Sequence, residues 1–447
     1  MTLHNQTGED RVIRLCLVTV AEPDIHDPSS DARRLADAIE AATGLSGITI
    51  DLGILKILQK TLRQGQWRVT AALNNKRVVA LYAGEKKSVY GVAFDIGAGM
   101  IEAALCNLID DTDVARTRLI NPLVRFGADP INRIASGMNK PSDLDVMRNA
   151  LRAALDQMCG DLASLAAIER NEIVDGVFVA DPVCHHLLLG LDPLELGAAP
   201  FTEAVSEPLE CKASQIGISI APDALIHALP LIAHHVGSDL SAAAYHCGVA
   251  YDDEPTLMID IGTTTEILLA AHGQILAASP PAGAVLEGTG IEAGRHIVEG
   301  AIDHLRIDRE TLEPRFHVIG VDAWSDDETF AKQAEAAQLG GLCRSGLIDA
   351  LAELRMSGVL GRDGALKSEM ASSTKRLREE YRSYTYMIRE YEPRIAMTQH
   401  DIRALQMAKA AVQAAARILM KQLGIDALSR VRLTSGTGPA IDPERAG

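Results

Sequence analysis

The chain has 447 residues, 47% hydrophobic but only 4% aromatic, so Ala, Leu, Ile and Val must build more than one core and an α/β protein is favoured over an all-β one. Its 43 basic against 60 acidic residues leave a net charge of −17 spread along the chain, which disfavours nonspecific binding to nucleic acid or to an anionic membrane. The seven cysteines (Cys16, Cys106, Cys159, Cys184, Cys211, Cys247 and Cys343) form no local zinc or iron–sulfur motif, and neither a signal core nor an apolar run of about 18 residues occurs, so a reducing, cytoplasmic setting is expected.

Residues 1–90 predict a small α+β domain. A strand over 12–20 leads through a Pro/Asp/Ser-rich turn into a helix over 30–42. Residues 47–52 precede a second helix near 53–63. Two strands, 67–73 and 77–82, flank Asn74-Asn75, a hairpin turn signal. The polar residues 84–88 form a junction.

From Gly91 the pattern changes. Gly-Val-Ala-Phe-Asp95-Ile-Gly97 is an apolar run ending in a glycine turn, followed by strands over 100–108 and 114–120. A mostly helical stretch over 142–170, a strand over 174–180 and a helix over 182–190 follow. Then the meander recurs 165 residues later: Thr-Leu-Met-Ile-Asp260-Ile-Gly262 opens strands over 256–261, 265–270 and 274–278. Such a spacing is far too long for a solenoid repeat and suits two similar half-domains facing each other across a cleft. Domains are therefore expected at 1–90, 91–250 and 251–447.

An Asp at the end of a buried strand beside a glycine turn is one way to hold Mg²⁺ and phosphate oxygens. The second copy is chemically richer. Gly262-Thr263-Thr264-Thr265 offers backbone N–H groups and three hydroxyls, and Glu266 adds a carboxylate. The first continues Ala98-Gly99-Met100 and has no hydroxyl. After the second meander, Gly283, Gly288 and Gly290 precede a predicted helix over 291–304 that also contains Gly294, and a backbone approaching a ligand is preferred there over a flexible surface loop.

Residues 340–346 (Gly-Gly-Leu-Cys343-Arg344-Ser345-Gly346) precede a helix over 347–354 and suit helix capping or phosphate contact equally, with Cys343 a packed thiol. His185-His186, His234-His235 and His246 lack a metal-ligand frame and read as solvated or capping histidines. The Tyr-, Arg- and Glu-rich residues 374–394 read as a polar, partner-facing or helix-packing segment. A helix over 399–423 carries a Thr398/Asp401 capping box and ends at Gly424, and a strand over 429–434 leads to Ser435-Gly436-Thr437-Gly438.

The duplicated meander resembles the ASKHA superfamily of acetate and sugar kinases, Hsp70 and actin. Within it the chain is similar to the reductive activators of corrinoid proteins. The resemblance runs through Asn121-Pro…Arg125-Phe-Gly127-Ala-Asp129-Pro-Ile-Asn-Arg133-Ile and His185-His186-Leu-Leu-Leu-Gly190-Leu-Asp-Pro193. It continues in Ile232-Ala-His-His-Val-Gly237-Ser-Asp239, residues 259–300, Ser345-Gly346-Leu-Ile-Asp349-Ala and Thr398-Gln-His-Asp401-Ile-Arg…Gln406-Met-Ala-Lys409.

The resemblance implies a duplicated ASKHA domain preceded by the small α+β domain. It implies an ATP-using activator that returns the cobalt of a methyltransferase's corrinoid protein from Co(II) to Co(I), with nucleotide state coupled to affinity for that partner through a hinge. By position, Asp95 and Asp260 would hold Mg²⁺ and phosphate, Gly97 and residues 262–266 would wrap the phosphates, and Gly283, Gly288 and Gly290 would lie along the nucleotide. Gly436 and Gly438 would lie near adenosine. A homodimer and a ferredoxin-type electron donor are also implied.

Four departures stand out. The chain begins after the family's N-terminal [2Fe-2S] domain, so the cluster would belong either to such a domain removed from this chain or to another protein that supplies the electrons. Ala98-Gly99-Met100 replaces a Thr-rich turn, and Ala180-Asp181-Pro182 replaces Gly-Asn-Thr before the double histidine. The terminal glycine turn is altered and no helix follows it. The alternatives are a small-molecule ASKHA kinase, for which no catalytic base is evident, and a non-catalytic module with a degenerate cleft that grips a corrinoid protein.

Overall fold

Apolar alternation and glycine turns become strands in the computed structural model, which describes residues 11–127, 129–249, 254–334, 337–428 and 430–434. The first part contains β1 (Ile13–Thr19), α1 (Asp31–Thr43), β2 (Thr49–Ile50), α2 (Leu52–Gln64), β3 (Arg68–Asn74) and β4 (Arg77–Ala83). Ser30 caps α1 by accepting the Arg33 N–H at 3.2 Å, and Gly44 ends it at φ 73°. The sheet order is β1-β3-β4-β2, and Leu35, Ile39, Ile54, Leu58 and Leu62 of the two helices pack against Val69, Ala71 and Val78 of the strands.

Next come β5 (Tyr90–Ile96), β6 (Met100–Asn107), β7 (Thr112–Ile120), α3 (Pro130–Asn139), α4 (Ser142–Leu165), β8 (Ile173–Ala180), α5 (Pro182–Leu189), β9 (Leu209–Lys212), β10 (Leu225–Ala228) and α6 (Ser238–Cys247). The six strands lie in the order β7-β6-β5-β8-β10-β9. Buried Met147, Leu151, Leu155 and Met158, at helical spacing on α4, join Phe94, Ile101, Leu105 and Phe178 from the strands in one core.

The last part contains β11 (Thr256–Ile261), β12 (Thr265–Ala271), β13 (Gln274–Ala278), a single helical turn α7 (Gly283–Leu286), β14 (Ile302–Ile307), β15 (Pro314–Val318), α8 (Phe330–Ala334) and α9 (Arg344–Met356). It closes with β16 (Leu377–Glu380), β17 (Ser383–Arg389), β18 (Ile395–Thr398), α10 (Gln399–Gln422) and β19 (Arg430–Thr434). Its main sheet has the order β13-β12-β11-β19. In both large sheets an antiparallel meander is extended by a later strand parallel to its first one: β8 beside β5, and β19 beside β11. The duplication read from the two Asp-Ile-Gly turns is therefore a duplication of topology. By compactness the chain divides into Met1–Ala242 and Ala243–Gly447, each described by itself below.

Two expectations need correction. The helix over 291–304 is absent. Gly300 sits at φ 84°, a conformation that does not continue a helix, and residues from 302 instead pair antiparallel with β15 as β14, with the Ile302 N–H also donating to the Gly341 carbonyl at 2.9 Å. Residues 374–394, read as a polar, partner-facing or helix-packing segment, supply β16 and β17: Tyr386 is buried with its hydroxyl donating to the Leu312 carbonyl at 2.9 Å, whereas Tyr381 and Tyr391 are exposed. His185 and His186 are not solvated: both are fully buried on α5.

Candidate functional site

In the second unit, β11 ends in Asp260 and Ile261, residues 262–264 turn the chain, and Thr265 opens β12. The register sets Asp260 directly opposite Glu266 and Ile261 opposite Thr265. The two carboxylates therefore share one face of the ladder at the mouth of the turn. Gly262 donates its N–H to the Thr264 carbonyl at 3.1 Å, and a Cβ at 262 would lie 3.1 Å from that same oxygen. Asp260, Thr263 and Thr264 are half-buried, whereas Thr265 and Glu266 are buried at the start of β12. The accessible part of the motif is thus the strand-end Asp and the turn proper.

The glycine segment lies on this turn. A Cβ on Gly283 would run into the Thr263 and Gly262 carbonyls, so only glycine allows α7 to start there. Gly288, at φ 89°, is packed against the Gly294 backbone, and Gly290 faces open space. Glu287 accepts a hydrogen bond from the Arg344 guanidinium at 2.9 Å, and Arg344 also donates to the Ile261 carbonyl. Both side chains are almost fully buried. On the outer side of Glu287, His296 Nδ1 lies 3.8 Å from its second oxygen, and that contact raises the imidazole pKa. A cavity of about 440 Å³, lined by Gly290, Glu292, Tyr384, Arg394 and Asp401, adjoins the segment.

The first unit repeats the plan with different parts. Asp95 at the end of β5 faces Glu102 on β6, but four residues, 97–100, separate the paired Ile96 and Ile101, one more than in the second turn. The longer turn is tied down from behind. Asn121, fully buried, donates to the Gly97 carbonyl at 2.8 Å, and Arg133, also fully buried, donates to the Ala98 carbonyl. Arg133 further donates to the Gly127 carbonyl at 3.2 Å and to Cys184 Sγ at 3.2 Å, with Asp181 at 3.9 Å. Asp181 caps α5 by accepting the Val183 and Cys184 N–H groups at 2.8 and 3.0 Å. A cavity of about 640 Å³ opens over the face that carries Asp95, Glu102, Arg116 and Arg118.

Within the second unit, then, Asp260, Gly262, Thr263, Thr264 and Gly283 come together, with Thr265 and Glu266 set behind them. Asp95 and Gly97 form their own turn in the first unit. Gly436 and Gly438 lie outside the described residues. Arg344, Glu287, Arg133 and Asn121 were given no role from sequence, although each stands in a quoted motif. The available signal was an arginine beside glycines at a helix start, since a charged residue there is buried only when paired.

Among the described residues no group of three His, Cys, Asp or Glu side chains converges to hold a metal by itself. One carboxylate beside a glycine turn instead fits Mg²⁺ arriving with phosphate oxygens, which complete its shell. The cysteines are all free and scattered, and Cys16, Cys159, Cys184 and Cys343 are buried, so they do not fit an iron–sulfur cluster. No helix of the described residues is long and apolar enough to cross a membrane.

Three family models match in succession: the RACo linker region over residues 3–88, the RACo middle region over 90–252, and the C-terminal ASKHA domain of RACo over 254–447. The corrinoid activation enzyme RamQ of Eubacterium limosum is 27% identical over 413 residues, covering 89% of this chain and 66% of its own. A [Co(II) methylated amine-specific corrinoid protein] reductase of Methanosarcina barkeri is 22% identical over 385 residues, covering 80% of this chain and 65% of its own. The chain thus spans just under two thirds of the length of these curated relatives. The structure of a reductive activator for corrinoid, iron-sulfur protein superposes with a TM-score of 0.81 at 25% identity, covering 100% of this chain and 70% of the other. Successive matches to linker, middle and C-terminal regions, on a fold with a duplicated meander, establish that the chain belongs to the RACo family of corrinoid activators and carries its duplicated ASKHA domain behind a small α+β domain.

Proposed function

We propose that the chain is the nucleotide-using part of a reductive activator, binding Mg-ATP and helping a partner's corrinoid cobalt take one electron, Co(II) to Co(I). The observation that carries the reading is the Asp260 turn, with Gly283 pressed onto it where no side chain would fit. In the proposed roles, the Asp260 carboxylate takes a place in the shell of Mg²⁺, and the backbone and hydroxyls of Thr263 and Thr264 hold phosphate oxygens. Gly283, Gly288 and Gly290 let the backbone run close to the nucleotide. Thr265 and Glu266 act from inside the sheet. Asp95 and Gly97 are proposed for the corresponding roles in the first unit, and Gly436 and Gly438 for the adenosine end. Bound Mg-ATP would supply the free energy for an uphill reduction. The electron comes from a one-electron donor of ferredoxin type, since the cysteines of this chain offer no cluster site. The cytoplasmic homodimer belongs to the same proposal and rests on family resemblance.

One observation favours a second reading. Ala98 is buried and the first turn carries no hydroxyl, which suits a unit that grips nucleotide or partner without hydrolysis.

Isothermal titration of the full chain with Mg-ATP tests the proposal. Saturable heat is expected, and Asp260→Ala should weaken binding at least about tenfold by removing a metal ligand. Phosphate release measured on the same samples separates hydrolysis from mere grip. No heat at millimolar nucleotide, or unchanged affinity in Asp260→Ala, would overturn the reading.

A further inference from the structure

Arg344 stands where three segments of the second unit meet. It is the first residue of α9, and Gly346 allows that helix to start against β14, where a Cβ would strike the Ile302 carbonyl. Its guanidinium donates to the Ile261 carbonyl, on the peptide that enters the turn, and to Glu287 at 2.9 Å. The N–H at the far side of that peptide, on Gly262, is engaged by the Thr264 carbonyl at 3.1 Å. The peptide is therefore fixed from both sides. A Cβ on Gly262 would lie 3.9 Å from the same guanidinium nitrogen, so the cation rests directly against the turn.

Glu287 belongs to the other half of the site. Its N–H donates to the Gly283 carbonyl at 2.9 Å, closing the helical turn that Gly283 begins. One buried guanidinium thus bridges the phosphate turn and the glycine segment. Both bonds leave one guanidinium nitrogen, Nη1, whose two N–H groups are held in fixed directions by the guanidinium plane, whereas the N–H groups of an ammonium on a flexible stem rotate freely. The first unit uses the same device on a different framework: Arg133 donates to Ala98 of its turn, with a thiol and Asp181 behind it.

We infer that Arg344 is a positioning residue: through Glu287 it locks the Asp260 turn to the glycine segment, so that both present their phosphate-binding groups in one arrangement. The inference rests on the reading of that turn as a Mg-nucleotide site. It assigns Arg344 no contact with the nucleotide. Its effect passes through the Ile261 peptide and Glu287.

The test is Mg-ATP titration of the full chain and of Arg344→Lys, Glu287→Gln, Asp260→Ala and Leu354→Ala, each alongside a thermal unfolding curve. Leu354 is a fully buried core residue on the same helix and serves as a stability control. Arg344→Lys should weaken Mg-ATP at least about tenfold at temperatures where it is fully folded, as losses of supporting residues do at metal sites. Leu354→Ala, even with an equal or larger loss of thermal stability, should keep wild-type affinity. Should Arg344→Lys fail to fold, Glu287→Gln carries the test, with a severalfold loss expected. If both variants bind like the wild type, or if Leu354→Ala loses affinity in step with its melting temperature, the positioning role is wrong. A wild type that gives no heat, or an Asp260→Ala that binds normally, would instead remove the underlying reading and the inference with it.

Discussion

Arg344 and Arg133 each bury a full positive charge whose partners lie far away in sequence: Arg344 and Ile261 are 83 residues apart. A sequence shows that Asp260 and Gly262 end an apolar run, because strand, acid and turn are neighbours. It cannot show that a remote arginine holds the turn from behind. His185 was illegible for a related reason. The doubled histidine suggested polar, accessible groups, yet α5 is apolar on nearly every side and both rings are enclosed. His186 keeps Nδ1 on the Pro182 carbonyl at 2.7 Å and accepts the Ala204 N–H at 2.9 Å. Neither ring nitrogen of His185 has a hydrogen-bond partner among the described residues. Burial, reinforced by His186, pushes the His185 pKa down to about 4.

The sign of the pH effect follows. Between an unfolded value near 6.5 and the folded value near 4, the unfolded chain binds a proton at His185 that the native state refuses. Stability therefore falls as pH drops through that window, by on the order of 1–3 kcal/mol. His186, lowered mainly by burial, acts in the same direction. His185→Phe, an apolar ring of similar shape, should flatten the dependence and be near neutral at pH 7.5. Urea midpoints at pH 5 and 7.5 for the two proteins check this. An equally steep loss in His185→Phe would show that other groups carry it.

At the scale of elements, α10 is where sequence and structure agree most closely, because its signals are local. The capping box is present: the Thr398 side chain accepts the Asp401 N–H at 3.1 Å, and Asp401 accepts the Thr398 N–H at 2.9 Å. The failed helix over 291–304 is the opposite case. A glycine at positive φ and the pairing of residues 302–307 with β15, neither of them a local signal of the segment, decide the outcome. Asp401 links the two regions, since it also accepts the Glu292 N–H at 3.0 Å and is fully buried. Thr398→Ala should cost about 1 kcal/mol as a lost cap. Asp401→Ala should cost about 2–3 kcal/mol, since it strands buried donors from two segments. Chemical denaturation ranks them, and equal losses would mean that Asp401 does no more than cap α10.

At the scale of the whole molecule, the duplicated meander was legible because both Asp-Ile-Gly turns keep the same strand, turn and strand signature. Their inequality was legible too, since Ala98, Gly99 and Met100 stand where the second turn has threonines. The extra residue in the first turn was hidden, because register depends on which residues pair across the hairpin. The second turn has the shorter loop and the glycine segment on it, and the account assigns it the nucleotide.

The central claim is that this nucleotide drives reduction of a corrinoid partner. The direct measurement is the absorption band of Co(I) in a Co(II) corrinoid protein mixed with the full chain and a one-electron donor of ferredoxin type or a chemical reductant, with and without Mg-ATP. The account predicts that the band grows only when Mg-ATP is present and fails to grow with Asp260→Ala. A band that forms equally without nucleotide, or none with a competent partner and Mg-ATP present, would contradict it.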